Sequence, residues 1–343
     1  MYHVTAVYVT RDANHFEINI PLKWVGKRNL KLGSKNNLQI LFLEGYEKLD
    51  HNYIGDLKEL GYTLIDCKKI YKTYEKKYPQ LNRYRDFEKK CFLRWLVIED
   101  IFGHEPVMHY DADIVFNEIP ENIEKQLGGL TFVLQGCPAF VSTGKSDWLA
   151  QYRKSLIEFV KDIDAYSAIA WEERHGWEKS YLDKWSGSRF KKIISHDQDL
   201  ISHLIHTDQL PQESPSAIKK KTDLILFENL LEFHDFYSEL LPVEYKRIDG
   251  VDYFNGRKVA FWHMQTDVNY YLKCVLRRGF MNRISRYKCH LTEKSMEHIL
   301  WNVYDRGFRK EKNRLGVYKY YFEAHDFSGV LNGKVYWKEN VFR

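Results

Sequence analysis

The sequence predicts an α/β fold in which a mostly parallel sheet is flanked by helices. Short apolar segments alternate with amphipathic ones through residues 1–140, which is the pattern of consecutive β-α-β units. The hydrophobic content of 44% and the aromatic content of 15% supply a large core and exclude general disorder. A length of 343 residues fits one large domain followed by an appendage.

Each element is predicted from its own pattern, in chain order. Apolar runs predict strands at residues 3–9, 38–44, 62–66, 106–110, 130–134, 139–143, 224–227 and 258–263. Amphipathic spacing predicts helices near residues 51–60, over 85–103, from Pro120 onward, over 146–163 with Ser146 as its cap, and over 196–206. Residues 67–84 are predicted to form a polar loop. Residues 165–192, rich in tryptophan and charge, are predicted to be an excursion from the sheet.

The helix predicted over residues 85–103 has an apolar stripe. Phe87, Cys91, Trp95 and Ile98 follow one another at spacings of four, four and three residues. This spacing places the four side chains on one face, which we expect to be buried. Gly103 is expected to end the helix.

Composition limits the classes of function. No apolar stretch is long enough to span a membrane, and the N-terminus lacks the basic-then-apolar pattern of a signal peptide, so we expect a cytoplasmic protein. Five cysteines without a CxxC pair argue against a disulfide framework and against a cysteine zinc site. Residues 271–320 hold 13 Lys/Arg against 4 Asp/Glu. This basic segment fits a solvated helical surface, an acceptor contact or a peripheral membrane contact; no nucleic-acid motif accompanies it, and no nucleic-acid partner is expected.

An Asp-x-Asp motif occurs three times, and its position separates the copies. Asp162-Ile163-Asp164 ends a predicted helix. Asp197-Gln198-Asp199 begins one, where carboxylates interact favourably with the exposed backbone N–H groups and the helix dipole. Asp111 and Asp113 instead follow a buried strand directly, and Ile114-Val115-Phe116 then returns the chain to the core. In an extended segment both carboxylates lie on one face, and their repulsion is relieved by a cation or a proton. Ligands of open α/β sheets bind beyond the carboxyl ends of the strands, so this copy lies where chemistry is expected.

An ordered series of motifs resembles the nucleotide-sugar-dependent glycosyltransferases of the GT-A fold, especially the glycogenin-like branch. The series comprises the N-terminal strand, a helix with Lys89, Lys90 and Arg94 leading to YDADIVF, then AFVSTGKSDW, HDQDLISHLI and FWHM. The resemblance implies a GT-A domain over residues 1–275, with a nucleotide-binding half at about 1–116 and an acceptor half at about 117–275. A basic, α-rich extension over residues 276–343 has no counterpart in the family.

The resemblance also implies roles for individual residues. The metal ligands would be Asp111, Asp113 and His263, and the metal Mn²⁺ or Mg²⁺. The nucleotide sugar, UDP-linked in this branch, would contact Thr10, Arg11, Lys90, Arg94 and Asp111. Asp197 and Gln198 would be the catalytic residues beside the sugar, and a glycan or glycoconjugate would accept a hexose or pentose. A divalent cation suits this chemistry because it neutralises the charge that develops on a diphosphate leaving group.

Several alternatives remain open at this point. Asp197 is also placed to cap its helix, and His263 to make a structural hydrogen bond at the end of a strand. Trp171, Trp177 and Trp185 fit an acceptor platform or anchors of a loop. Lys273 lies farther from His263 than the diphosphate-binding lysine of the glycogenin-like branch. Competing functions are a haloacid dehalogenase-type phosphatase that uses Asp111 and Asp113, a non-catalytic carbohydrate-binding protein, and nucleic-acid binding by the basic segment.

Overall fold

The computed structural model describes most of the first 263 residues. The described ranges are 1–20, 22–134, 138–145, 147–173, 194–226, 243–248, 251–254, 256–263 and 334–335. Trp177, Trp185, Lys273, Ser146 and most of the basic extension lie outside them, so the predictions made for those residues stay predictions. No helix within the described ranges is both long and apolar enough to cross a membrane.

Helices and strands alternate along the first half of the chain. The helices are α1 Ala13–Asn19, α2 Leu22–Lys31, α3 His51–Glu59, α4 Lys68–Lys77, α5 Asp86–Phe102, α6 Pro120–Leu127, α7 Trp148–Lys161, α8 Ile163–Glu173, α9 Asp197–His206 and α10 Pro215–Lys221. The strands are β1 Tyr2–Tyr8, β2 Gln39–Glu44, β3 Thr63–Asp66, β4 Val107–Tyr110, β5 Ile114–Phe116, β6 Thr131–Val133, β7 Phe140–Thr143, β8 Val243–Ile248, β9 Val251–Phe254, β10 Arg257–Lys258, β11 Phe261–His263 and β12 Lys334–Val335.

The main sheet of the described chain has six strands in the order β3-β2-β1-β4-β7-β6. β1 pairs in parallel with β2 and with β4, and β2 pairs in parallel with β3, whereas β7 runs antiparallel to both β4 and β6. The predicted fold class, a mostly parallel α/β sheet flanked by helices, is confirmed. The chain leaves β1 toward β2 on one side and returns to pair β4 on the other, so the ends of β1 and β4 flank the crevice where α/β sheets bind ligands.

Apolar side chains cover both faces of the sheet because successive residues of a strand point to opposite faces. In β4, Met108 and Tyr110 join the cluster on one face. Val107 joins the cluster on the other face, and the His109 ring on that same face lies 4.7 Å from the ring of Trp95 in α5. The alternation therefore directs the next residue of this register, Asp111, toward α5.

A second, two-stranded sheet joins distant parts of the chain. β5 pairs antiparallel with β11, and His263 lies opposite Ile114 in this register. The backbone N–H groups of Asn117 and Glu118 donate to the Ala260 carbonyl at 2.9 and 2.8 Å. Ile114, Val115 and Phe116 are all buried, as expected. A further sheet has the order β10-β9-β8-β12.

The structure corrects several predictions of local structure. Residues 67–84 are not a loop, because they form α4 and a 3₁₀ helix at Pro79–Arg83. The buried residues of α4 are Tyr71 and Tyr74, which lie among lysines, so the segment has a buried face although its composition is polar. The excursion predicted from residue 165 begins as α8, which continues to Glu173. Strand 224–227 is reduced, within its described residues, to one bridge between Ile225 and Val259.

The face predicted for α5 is only partly right. Trp95 and Ile98 are buried, but Phe87 is 55% exposed and Cys91 is half-buried. From Phe92 to Ile98 every residue of the helix is buried. α5 packs against β2 as well as α4, α7 and α9, so most of its length is enclosed and no single stripe describes its buried surface.

Gly45 lies directly after β2, where the backbone passes close to Val9 just beyond the end of β1. Its φ is +80°, and a Cβ atom there would lie 2.1 Å from the Val9 carbonyl oxygen. Gly45→Ala is therefore expected to lower the free energy of unfolding by about 2–4 kcal/mol, because strain and a backbone clash add together. Urea denaturation measures the change.

Gly55→Ala is the matched control. Gly55 lies inside α3, and a Cβ atom there meets nothing within 4 Å. Alanine has the higher helix propensity, so this variant is expected to be unchanged or more stable by up to about 1 kcal/mol. Equal losses of stability in the two variants would contradict the account of Gly45.

Candidate functional site

Asp111 and Asp113 lie in a tight turn between β4 and β5, at the carboxyl edge of the main sheet. The Asp111 N–H donates to the Ala139 carbonyl at 2.8 Å, and the Ile114 N–H donates to the Asp111 carbonyl at 3.1 Å. These two bonds fix the turn between β4 and β5, the first of them by joining it to Ala139, which directly precedes β7. Both aspartates are half-buried, so their carboxylates lie at the edge of the core as the sequence predicts.

Arg94 is buried and connects Asp111 to Asp197. Its Nη1 lies 2.5 Å from Asp111 Oδ1, while its Nη2 and Nε lie 2.9 and 3.1 Å from Asp197 Oδ2. Burial disfavours the charged guanidinium, but the charges of Asp111 and Asp197 outweigh that effect and hold the pKa of Arg94 well above its ordinary value. The guanidinium is thus a permanent cation between two carboxylates that come from different parts of the chain.

Asp197 is the first residue of α9, but its side chain does not cap that helix. His196 is the capping residue, and its Nδ1 accepts from the Gln198 N–H at 3.2 Å. Asp199 Oδ2 accepts from the Ser195 N–H and hydroxyl at 2.8 and 2.6 Å. Of the alternatives left open by the sequence, the helix-cap role therefore falls to His196, and Asp199 braces the turn before the helix.

The carboxylate of Asp197 instead receives three hydrogen bonds at one oxygen. Besides Arg94 Nε and Nη2, the indole Nε1 of Trp95 donates to Asp197 Oδ2 at 2.9 Å. Among the described residues, no hydrogen-bond donor reaches Oδ1. The bond from the Tyr84 hydroxyl to the Ile194 carbonyl at 2.9 Å further anchors the segment that leads to Asp197.

Sequence reasoning did not assign a site role to three residues that surround this cluster. Trp95 was assigned only to an apolar stripe, and His109 only to a strand. Burial and the positive charge of Arg94 lower the pKa of His109 well below its ordinary value, so this ring is neutral beside Asp111. Burial, reinforced by the charge of Asp197, raises the pKa of the Cys91 thiol well above its ordinary value. The adjacency of Arg94 and Trp95 was visible in the sequence, but their common partner Asp197 was not.

Lys90 lies beside the crevice within a network of ion pairs. Its Nζ lies 2.6 Å from Glu44 Oε2 and also contacts Asp86, and it lies 4.9 Å from the centre of the Tyr8 ring. Lys90 is 3% exposed, and its contacts with Tyr8 and Glu44 join α5 to the ends of β1 and β2. Contact between Lys90 and a nucleotide sugar stays a prediction.

Thr10 and Arg11 lie exposed in the loop that follows β1. Lys48 Nζ donates to the carbonyls of Val9 and Thr10 at 3.3 and 3.1 Å. These bonds hold the loop at the carboxyl end of β1, next to the end of β4. Contact between this loop and a nucleotide stays a prediction.

The predicted metal ligands come close in the chain's register. Because His263 lies opposite Ile114 in the β5–β11 pair, its backbone is next to that of Asp113. The side chain of His263 is not among the described ones. Among the side chains that are described, no three or more His, Cys, Asp or Glu residues lie in a group that could hold a metal ion. Two half-buried carboxylates at one turn fit a hard divalent cation that takes further oxygen ligands from a diphosphate.

The other predicted site residues are less informative. The Gln198 side chain is half-buried at the start of α9. Trp171 belongs to α8, but its side chain is not described. In the copy at residues 162–164, Asp162 accepts from the Ala165 N–H and the exposed Asp164 pairs with Arg83 at 2.7 Å. That copy is a helix junction with a surface ion pair.

Comparison with known proteins gives distant structural likenesses. No family model matches the chain. No curated protein matches it either. Three similar solved structures are glycosyltransferase GlyE of Streptococcus pneumoniae TIGR4 in its apo form (12% identity, 62% of this chain and 44% of that one, TM-score 0.33), PaToxG glycosyltransferase (15%, 64% and 82%, 0.31) and mouse xyloside xylosyltransferase 1 in its apo form (10%, 78% and 98%, 0.40). The match thus spans less than half of the length of GlyE. These TM-scores are too low to assign a family, so the function is inferred from the geometry of the site.

The Arg94 cluster predicts a non-additive effect on stability. Arg94→Met leaves the buried Asp197 carboxylate without its cation and is expected to cost about 3–5 kcal/mol. Adding Asp197→Asn removes the uncompensated charge while an amide oxygen still accepts from Trp95, so the double variant should be more stable than Arg94→Met alone. Urea denaturation of the parent protein, of Arg94→Met, of Asp197→Asn and of the double variant measures this coupling. A double variant whose losses simply add would contradict the description of Arg94 and Asp197 as a buried ion pair.

Proposed function

We propose that this protein is a glycosyltransferase that moves a sugar from a nucleotide diphosphate sugar, UDP-linked, to a hydroxyl group of a glycan or glycoconjugate. The observation that carries the proposal is the bridge that Arg94 makes between Asp111 and Asp197 at the carboxyl edge of β4. It joins a carboxylate suited to the diphosphate side of the donor to one suited to the sugar side. The crevice between the ends of β1 and β4 is the usual ligand position in such sheets.

The donor would lie across this crevice. The exposed loop with Thr10 and Arg11, held by Lys48, supports contact with the base and ribose. Asp111 would contact the ribose or the metal while Arg94 keeps its carboxylate oriented. The fixed positive charge of Arg94 would also attract the anionic donor.

The sugar would lie toward α9. Asp197 Oδ2 is held by Arg94 and Trp95. Since no described residue donates to Oδ1, that oxygen would be the one that contacts a substrate. A carboxylate in this position stabilises positive charge at the reacting carbon or accepts a proton from the acceptor hydroxyl. Gln198, the next residue of α9, would orient that hydroxyl.

Asp113 and Asp111, with His263 at the neighbouring strand position, would hold Mn²⁺ or Mg²⁺. A bound cation neutralises the charge that develops on the diphosphate leaving group. Histidine as a ligand favours Mn²⁺ over Mg²⁺. The tight turn fixed by Asp111 and Ala139 keeps both carboxylates at the same edge.

Asp113→Asn tests the metal and donor site. It is expected to lower the Mn²⁺-dependent hydrolysis or transfer of a nucleotide sugar by at least about 100-fold, since an amide binds a hard cation less well than a carboxylate. The assay measures release of the nucleoside diphosphate from a panel of nucleotide sugars. Undiminished activity in Asp113→Asn would contradict the assignment of Asp113 as a metal ligand. Hydrolysis of phosphate monoesters, abolished by Asp111→Asn, would instead favour a phosphatase.

Asp164→Asn is the matched control, because it alters the second aspartate of another Asp-x-Asp copy. Asp164 is exposed and pairs only at the surface with Arg83. Its substitution should leave activity within about two-fold and change the free energy of unfolding by less than about 1 kcal/mol.

Ligand binding gives a test that does not depend on turnover. UDP with Mn²⁺ is expected to raise the melting temperature, since a ligand at about 100 times its Kd stabilises the folded state by about 2.7 kcal/mol. EDTA should reverse most of the shift, and Asp113→Asn should reduce it. An equal shift with EDTA present would contradict a shared site for metal and diphosphate. Binding of a nucleotide sugar without its hydrolysis or transfer would favour a non-catalytic carbohydrate-binding protein.

A further inference from the structure

We infer that Trp95 is a positioning residue that sets the orientation of the Asp197 carboxylate, an inference that rests on the proposed function. Its indole Nε1 donates to Asp197 Oδ2 at 2.9 Å. The bond joins α5 to the first residue of α9, across 102 positions of the chain. Trp95 thus acts on a sugar through Asp197 and does not itself touch the reacting atoms.

The indole ring is fixed from several sides. Trp95 is 1% exposed, and its ring centre lies 5.1 Å from that of Trp148 at a steep angle and 4.7 Å from that of His109. The Arg94 guanidinium carbon lies 4.9 Å from the same ring. A donor enclosed in this way has one direction in which its N–H can point, so the oxygen it bonds has one preferred place.

The Trp95 bond differs from those of Arg94 because it serves Asp197 alone. Arg94 divides its N–H groups between Asp111 and Asp197, so its position depends on both carboxylates. Trp95 fixes Oδ2 without contacting Asp111. With Oδ2 held in this way, Oδ1 is the oxygen that no described donor contacts, and a substrate that binds at the carboxyl edge would meet a carboxylate of defined orientation.

Trp148 provides a matched comparison within the same aromatic group. It is fully buried and packs against Trp95, but its Nε1 has no hydrogen-bond partner among the described residues. Trp95→Phe removes packing and the bond to Asp197, whereas Trp148→Phe removes packing alone. Because phenylalanine keeps an aromatic face toward Arg94 and His109, the difference between the two variants reports mainly the indole hydrogen bond.

Kinetics of the two variants test the inference. Trp95→Phe is expected to lower kcat about 10- to 100-fold, the effect of losing one hydrogen bond to a charged group, with the KM for the nucleotide sugar within about two-fold. Trp148→Phe should keep kcat within about three-fold of the parent protein. Equal losses of kcat in both variants, or no loss in either, would overturn the inference.

Nuclear magnetic resonance tests the same contact without turnover. The indole N–H signals of ¹⁵N-labelled protein are assigned from the signal that each Trp→Phe variant lacks. Asp197→Asn is expected to move the Trp95 signal and to move that of Trp148 much less. A Trp95 signal that does not move would overturn the positioning role even if the protein transfers sugar. A parent protein that transfers none would defeat the proposed function, while this comparison still decides whether Trp95 holds Asp197.

Discussion

The charge of Arg94 is the constraint on which the site depends. A guanidinium enclosed by α5, β4 and α9 is stable only if carboxylates replace the water it has lost. Those carboxylates come from Asp111, 17 positions away, and Asp197, 103 positions away. The helix, the sheet edge and the start of α9 must therefore assemble together, and the site cannot form before the tertiary structure does.

The two faces of β4 have different surroundings: one packs in the aromatic core, and the other faces α5 and the Arg94 cluster. On one face, the Tyr110 ring packs against the rings of Phe116 and Phe140 at 4.9 and 5.0 Å. On the other, His109 and Asp111 face α5. A slip of one residue in the register of β4 would exchange these two sets, so the packing of the aromatic face also secures the position of the carboxylate.

The sequence predicted the features that arise from local patterns. The apolar run before Asp111 predicted a buried strand and a carboxylate at its end, and both are observed. The position of Thr10 after the first strand was predicted on the same ground. α4 was missed because its buried side chains are tyrosines, which an apolar count overlooks. Phe87 was wrongly expected to be buried because spacing along a helix does not show where the helix leaves the core.

The partnerships of the site could not be read from local patterns. Arg94 and Trp95 are adjacent in sequence, and one was expected to bind the donor and the other to fill the core, yet both bond to Asp197. That fact depends on how α9 docks against α5, which involves residues about 100 positions apart. The role of Asp199 was missed for a different reason: its partner Ser195 is only four residues away, but the bonds depend on the turn that precedes the helix.

The pairing of β5 with β11 has a consequence for the unity of the domain. β5 belongs to the first of the two halves inferred from the sequence, and β11 lies near the end of the second. The pairing thus joins the two halves through backbone hydrogen bonds, and the halves are not separable modules. A fragment that stopped before residue 257 would expose β5, with its unpaired N–H and C=O groups, as an apolar edge open to other chains.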